Sequence, residues 1–248
     1  MTKRSKTTRT CSEADRVVDL VRQSIFAGKL SPGEPIHETR LARQYGVSQT
    51  TVREALARLD HAGFVRRIPK KGTFVTQLSV DELREHLRLR LLLETLAAAD
   101  AARRVTQESL AELRRRLQAI AGAVAVNDYF ASALADLEFH RWIWLCSGDR
   151  TLYRILDQIT APLFAFISIR RSHGNEDLKR VVLSHQPIAE ALERGDQEAA
   201  REAIRAHIEN SYLQFLRFDL GTLFEQLPGA LRHAADASEA GEETLPRS

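Results

Sequence analysis

Four residues in the second half of the chain have side chains that bind transition metals. Asp136 and His140 are four residues apart, so on a helix they share one face and can chelate a single ion. His185 falls in a later helix, and His207 falls in the helix after that. One carboxylate and three imidazoles suit Zn²⁺, Ni²⁺ or Mn²⁺ and leave coordination positions open for water or ligand oxygens. Taken singly, a helical histidine is more often a surface or core residue, so spacing alone leaves the site open.

Positive charge is concentrated in the first third of the chain. Residues 1–78 hold 15 Lys and Arg against 7 Asp and Glu, whereas the remainder holds 21 against 26. A basic segment joined to a mildly acidic one indicates a polyanionic partner, because neutralising phosphates releases counterions. A solvated basic face would give the same composition. Composition alone fits both a polyanion-binding surface and a solvated one, and the sequence motifs distinguish between them.

The pattern of residues 12–78 predicts three helices and a β-hairpin. Apolar residues recur at helical spacing over 12–27, a short second helix ends at Gly46, and a third begins after Ser48 and ends at Gly63. Residues 64–68 and 73–76 are β-prone and are joined by a turn, so they predict a hairpin. The turn-rich segment 30–35 reads as a connector. This order of elements is typical of a winged helix-turn-helix.

The third helix carries polar groups at its N-terminal end. The residues expected to face outward at this end are Gln49, Thr50, Thr51 and Arg53. Amide, hydroxyl and guanidinium groups can read base edges or bind phosphates when this helix enters a major groove. Lys71 and Gly72 lie at the hairpin tip, where a cation and an open backbone amide can reach a neighbouring minor groove or phosphate. A solvated helix face and an ordinary turn are the alternative.

After Leu78 the sequence becomes rich in Leu, Ala, Arg and Glu, without strand signals. It predicts helices over 80–105, 107–125, 128–146, 150–171, 178–194 and 196–218, so we expect 79–226 to form an all-helical bundle. Residues 1–11 are expected to be a disordered basic arm and 227–248 a disordered tail. The predicted fold class is therefore mainly α. No run of about 18 apolar residues predicts a membrane span, and two cysteines fit a reducing, cytoplasmic compartment.

Short motifs along the first domain resemble the N-terminal domain of GntR-family regulators. They are Gly28-Lys-Leu-Ser-Pro-Gly33, Tyr45-Gly-Val-Ser48, Val52-Arg-Glu-Ala-Leu56 and Lys71-Gly-Thr-Phe-Val75. The resemblance implies DNA contact by Gln49, Thr50, Thr51, Arg53, Lys71 and Gly72. Gln49 stands where the family usually has a base-contacting Arg. This departure leaves DNA binding intact and the operator sequence open.

The second domain resembles the FCD subfamily of these regulators. The matching residues are Asp136-Leu-Glu-Phe-His140, His185, Gly195-Asp196 and His207. In many members such an Asp, its paired His and two later His residues 22 apart hold a metal, and 207 − 185 gives the same separation. The resemblance therefore implies one divalent transition metal per chain, either Zn, Ni or Mn. Pro187 departs from the pattern and is expected to bend its helix just after His185.

The resemblance also implies an effector and a mode of action. Subfamily members typically bind a small organic acid whose carboxylate oxygens replace metal-bound water, and here Arg90 and Asn210 are candidate effector contacts. The predicted function is a homodimeric repressor of a palindromic operator, controlled by that carboxylate. The alternatives are a metal-free regulator, as in the acyl-CoA-binding branch, and a metalloenzyme tethered to nucleic acid. No nucleophile–base pair supports an enzyme.

Overall fold

Residues 12–174 and 178–216, which the computed structural model describes, form nine helices and three short strands. The helices are α1 (Glu13–Phe26), α2 (Glu38–Tyr45), α3 (Gln49–His61), α4 (Val80–Arg104), α5 (Gln107–Ala125), α6 (Tyr129–Cys146), α7 (Arg150–Gly174), α8 (Lys179–Arg194) and α9 (Gln197–Leu216). The strands are β1 (Pro35–Ile36), β2 (Val65–Ile68) and β3 (Gly72–Val75). The mainly α fold class is confirmed.

The N-terminal domain has the predicted helices and hairpin. Ser48 caps α3 by accepting a hydrogen bond from the Thr51 amide at 3.0 Å, and Gly46 turns the chain between α2 and α3 with φ of 68°. The sequence analysis did not predict β1, which begins at the last residue of the predicted connector, 30–35. This two-residue strand forms by pairing with β3, opposite Phe74 and Thr73, and the sheet order is β1-β3-β2. A strand so short has no alternation of its own to detect.

The C-terminal domain is a helical bundle arranged around α4. Ser79 starts α4 with a capping box to Glu82, and α4 packs against α6, α7, α8 and α9. The observed bounds lie within three residues of the predicted ones up to the last helix, whose predicted end lies outside the described residues. The predictions for 1–11 and 227–248 also lie outside them. Helix α8 continues through Pro187 to Arg194. No helix among the described residues has the length and apolarity to cross a membrane.

Helix α7 joins the two domains. One apolar cluster contains Phe26 and Phe64 of the N-terminal domain together with Phe164 of α7. Gly63 packs so closely on α7 that an added Cβ would lie 2.8 Å from the Gln158 carbonyl oxygen, and its φ of 76° also favours glycine. That carbonyl lies four residues before Pro162, which lacks the N–H that would bond it in a regular helix. The apolar core is therefore continuous from one domain to the other.

Candidate metal centre and nucleic-acid surface

Three helices bring the four predicted ligands to one buried place. Asp136 and His140 lie one turn apart on α6, while α8 supplies His185 and α9 supplies His207. All four are buried, and one ligand atom from each lies within 4.8 Å of those from the others. The fold therefore brings together the four residues that the family resemblance implied as ligands.

The closest donor atoms have the spacing of a coordination sphere. The Oδ1 atom of Asp136 lies 2.9 Å from Nε2 of His185 and 3.4 Å from Nε2 of His140, which in turn lies 3.1 Å from Nε2 of His207. Nitrogen and oxygen ligands bound at about 2.0–2.2 Å to one ion are separated by roughly 3.0–3.4 Å when they are neighbours in its sphere. The three measured distances between donor atoms, 2.9, 3.4 and 3.1 Å, agree with these separations.

The second nitrogen of each imidazole has its own acceptor. Nδ1 of His140 lies 2.6 Å from a carboxylate oxygen of Glu94, and Nδ1 of His185 lies 2.5 Å from the Val181 carbonyl oxygen. Nδ1 of His207 lies 3.2 Å from Oγ of Ser184, whose hydroxyl donates to the Val181 carbonyl and so accepts from the ring. These contacts favour the tautomer in which each Nδ1 donates its proton outward, and in the neutral form of that tautomer Nε2 has the lone pair.

This arrangement fits a cation. The lone pairs on Nε2 of His140 and His207 face each other at 3.1 Å, and the Asp136 carboxylate is also directed at them. Such acceptors repel in a buried site unless a proton or a cation lies between them. Metal-binding histidines typically donate their other ring N–H to a carboxylate, a carbonyl or another acceptor. The four donor atoms, and the acceptors that the Nδ1 atoms contact, therefore both have the arrangement expected around a metal ion.

Electrostatics keeps the carboxylates ionised. Burial alone would raise the pKa of Glu94, but Arg90 and His140 outweigh it and lower that pKa to about 2. Burial likewise opposes ionisation of Asp136, yet contacts with His185 and His140 hold its pKa well below the usual value. Burial and the neighbouring His185 and His140 lower the pKa of His207 well below its ordinary range. An anionic Asp136 and a neutral His207 are the forms that bind metal.

Arg90 lies beside the ligand atoms, whereas Asn210 does not share their burial. Arg90 is 1% exposed; its guanidinium forms an ion pair with Glu94 and places Nη2 3.3 Å from Nε2 of His140. Its Cζ lies 4.8 Å from the centre of the Phe164 ring. Asn210 is exposed on α9, one turn beyond His207. The effector role of both residues stays a prediction.

The sequence reading missed three residues around the centre. Glu94 holds His140 and Arg90, Ser184 accepts from His207, and Phe164 packs against Arg90 with its ring 5.7 Å from that of His140. A charged pair at i and i+4 within the leucine-rich α4 was the available signal for Glu94. Ser184 and Phe164 left no comparable signal.

The predicted DNA-contacting residues lie on one end of α3 and on the wing. Gln49, Thr50 and Arg53 are exposed at the start of α3, and Lys71 and Gly72 are exposed where β2 turns into β3. Their contact with DNA stays a prediction.

Two of the polar groups on α3 already have partners within the protein. Thr51 is only half-exposed, and its Oγ1 lies 2.9 Å from Oγ of the cap residue Ser48. Nε of Arg53 donates to Glu38 at 2.7 Å. Arg53 must therefore leave this partner, or share it, when it binds a phosphate or a base.

Comparisons with known proteins agree on one family. A model of the gntR family of bacterial regulatory proteins matches residues 13–75, and a model of the FCD domain matches residues 85–210. The protein named as probable D-xylose utilization operon transcriptional repressor of Paenarthrobacter nicotinovorans is 31% identical over 195 residues, which cover 79% of this chain and 85% of that protein. The Nta operon transcriptional regulator of Aminobacter aminovorans is 31% identical over 201 residues, covering 78% and 90%. Among solved structures, E. coli McbR/YncC has a TM-score of 0.72 at 23% identity, covering 83% of this chain and 98% of that one.

Proposed function

The chain belongs to the GntR family of bacterial regulatory proteins and carries an FCD domain, and on this premise we propose that it is a metal-dependent repressor controlled by a small organic acid. That it is a DNA-binding transcriptional regulator rather than an enzyme follows from the family alone. The metal, the effector and the repressor mode are the proposal.

The observation that carries the proposal is the set of four donor atoms in the C-terminal domain. Asp136, His140, His185 and His207 would hold one divalent transition ion per chain, either Zn, Ni or Mn. When bound, the ion supplies a Lewis-acidic position that accepts a carboxylate oxygen. The protein fixes the imidazoles through their Nδ1 contacts, so little reorganisation is needed on binding.

Charge balance favours a carboxylate effector. Arg90 contributes one positive charge, Glu94 and Asp136 contribute one negative charge each, and histidines that coordinate an ion through Nε2 are neutral and add none. With a divalent ion the sum is one positive charge, which a single carboxylate neutralises in this buried place. The Nη2 atom of Arg90, 3.3 Å from a ligand nitrogen, is positioned to donate to an oxygen of such an anion.

The DNA-binding form we propose is a homodimer on a palindromic operator, acting in the cytoplasm where that DNA lies. Two recognition helices would each present Gln49, Thr50, Thr51 and Arg53 to one half-site, with Lys71 and Gly72 of the wing on the flanking backbone. The two half-sites of an operator lie a fixed number of turns of the DNA helix apart. A change in the distance between the two DNA-binding domains of the dimer therefore changes operator affinity.

Helix α7 offers a direct path between effector and DNA. Phe164 packs under Arg90 and belongs to the apolar cluster that contains Phe26 and Phe64 of the winged helix. One turn further along, Oγ of Ser168 donates to the Phe26 carbonyl oxygen at 3.0 Å. An anion bound beside Arg90 would draw this guanidinium away from the Phe164 ring. The ring and α7 would then repack, and the winged helix would move with them.

Operator binding by purified protein tests the proposal. Protein loaded with Zn²⁺, Ni²⁺ or Mn²⁺ is titrated onto operator DNA selected from random sequence, and a panel of small carboxylates is added at saturating DNA occupancy. We expect at least one carboxylate to lower the affinity of metal-loaded protein and to have no effect on chelator-treated protein. A carboxylate response that survives complete metal removal would contradict the metal-dependent part.

A further inference from the structure

Helix α4 packs against four other helices, but one of its faces has leucines at the surface. It packs against α6, α7, α8 and α9, and Leu87 and Leu91 are buried. Leu89 and Leu96 are nevertheless 45% and 40% exposed, and Leu92 between them is partly exposed. The spacing of three and four residues places all three leucines on one face of the helix.

Charged residues flank these leucines in a self-complementary order. Glu85 and Arg88 precede the leucines, and Asp100 and Arg103 follow them on the same face. Counting from position 94, Glu85 and Arg103 are both nine residues away, and Arg88 and Asp100 are both six residues away. Leu92 and Leu96 are both two residues away. Each polar residue is thus matched at equal distance by one of opposite charge.

We propose that the α4 stripe, defined as Glu85, Arg88, Leu89, Leu92, Leu96, Asp100 and Arg103, binds the same stripe of a second copy of this chain. A twofold axis near position 94 would pair the two helices antiparallel, with Glu85 facing the partner's Arg103 and Arg88 facing the partner's Asp100. The leucines then meet at the centre. The inference rests on the homodimer of the proposed function and assigns the surface that forms it.

Helix geometry limits how the two copies cross. Nine residues at 1.5 Å each place the outer charges about 13.5 Å from the axis. At a crossing angle of about 20°, the two helix axes are roughly 5 Å further apart at the outer charges than at the crossing point. Glu and Arg side chains can span this added distance. At about 50° the added separation is roughly 11 Å, and the outer pairs are lost. The pairing therefore specifies a shallow, coiled-coil-like crossing.

The outer pair cannot form within one chain. Glu85 and Arg103 are 18 residues apart on a continuous helix, which separates them by about 27 Å. Within the chain, Arg103 donates to Asp100 at 2.8 Å, and both remain at the surface with side chains 57% and 41% exposed. The leucines would provide most of the affinity, and the charges would set orientation and register.

Sedimentation velocity of the full-length protein across a dilution series tests the interface. Wild type should be a dimer, and Leu96→Glu should weaken dimerisation by at least about tenfold in Kd, because it sets two carboxylates in the apolar centre. Leu145→Glu is the matched control, since Leu145 is 55% exposed on α6, outside the stripe. Circular dichroism melts of each variant establish that the fold is kept.

A charge swap tests the register without touching the apolar residues. Glu85→Arg and Arg103→Glu should each weaken the dimer by placing like charges opposite each other, and the double variant should restore it. Recovery in the double variant requires an intermolecular pair, given the distance between the two residues within a chain.

The outcomes separate this interface from the proposed function. A dimeric wild type whose Leu96→Glu variant is equally dimeric overturns the α4 stripe but leaves the dimeric repressor. Failure of the double variant to recover overturns the register. A monomeric wild type overturns both the stripe and the homodimer.

Discussion

Replacing Glu94 by Gln should weaken metal binding without removing a metal ligand. Glu94 accepts from Nδ1 of His140 at 2.6 Å and forms the buried ion pair with Arg90. A neutral amide makes the imidazole a poorer donor to the ion and leaves it less firmly oriented. Loss of such an outer contact typically costs 10- to 100-fold in metal affinity, which is about 1.4–2.7 kcal/mol.

The same substitution should also destabilise the metal-free protein. It removes the carboxylate that pairs with Arg90, a residue only 1% exposed, and breaking a buried pair in this way costs about 3–5 kcal/mol. The pKa of Glu94 gives the same order: a fall from 4.5 to about 2 corresponds to about 3 kcal/mol of folding stability. Because the folded-state pKa is depressed, this contribution is present above about pH 4.5 and is lost as the pH falls toward 2.

Competition with a chromophoric chelator for Zn²⁺ measures the first effect, and denaturant unfolding of chelator-treated protein measures the second. Glu190→Gln is the control, because Glu190 is exposed on α8, the helix that carries His185. We expect both effects in Glu94→Gln and neither in the control. A Glu94→Gln protein that binds Zn²⁺ like wild type would refute the role assigned to this carboxylate.

Three further substitutions separate binding from response. Arg90→Met should keep metal binding and lose at least about 1.5 kcal/mol of carboxylate affinity, measured by isothermal titration of Zn²⁺-loaded protein. A carboxylate affinity equal to that of wild type would exclude Arg90 from the effector site. Phe164→Leu should bind metal, carboxylate and operator nearly as wild type does while the carboxylate no longer changes operator affinity, and an unchanged response would exclude the α7 path. Glu38→Gln should raise affinity for unrelated DNA several-fold by releasing Arg53, measured by fluorescence anisotropy; unchanged affinity would mean that the Glu38–Arg53 pair does not compete with DNA.

The sequence was informative where chemistry depends on local spacing. Ser48 before a run of apolar residues predicted the start of α3, and the i and i+4 spacing predicted that Asp136 and His140 share a face. That His185 and His207 join them depended on the family resemblance, because no local pattern reports how α8 and α9 approach α6.

The sequence was insufficient where the role of a residue depends on packing. Glu94 and Arg90 are a charged pair on α4, and only the packed bundle shows that both are buried against His140. Phe164 is one apolar residue among many on α7, so its place beside Arg90 could not be read from periodicity. Asn210 follows His207 by three residues, which turns it about 60° away on the helix, and it is exposed in this chain.

Metal content is the most direct test of the central claim that Asp136, His140, His185 and His207 form a metal-dependent sensor. Untagged protein purified without chelators would be analysed by plasma mass spectrometry, together with His185→Ala, His207→Ala and the exposed control His61→Ala. We predict about one transition metal per chain in wild type and in the control, and its loss in both ligand variants while circular dichroism shows an intact fold. A wild type that is metal-free and cannot be loaded would contradict the account, leaving a GntR regulator whose effector binds without a metal.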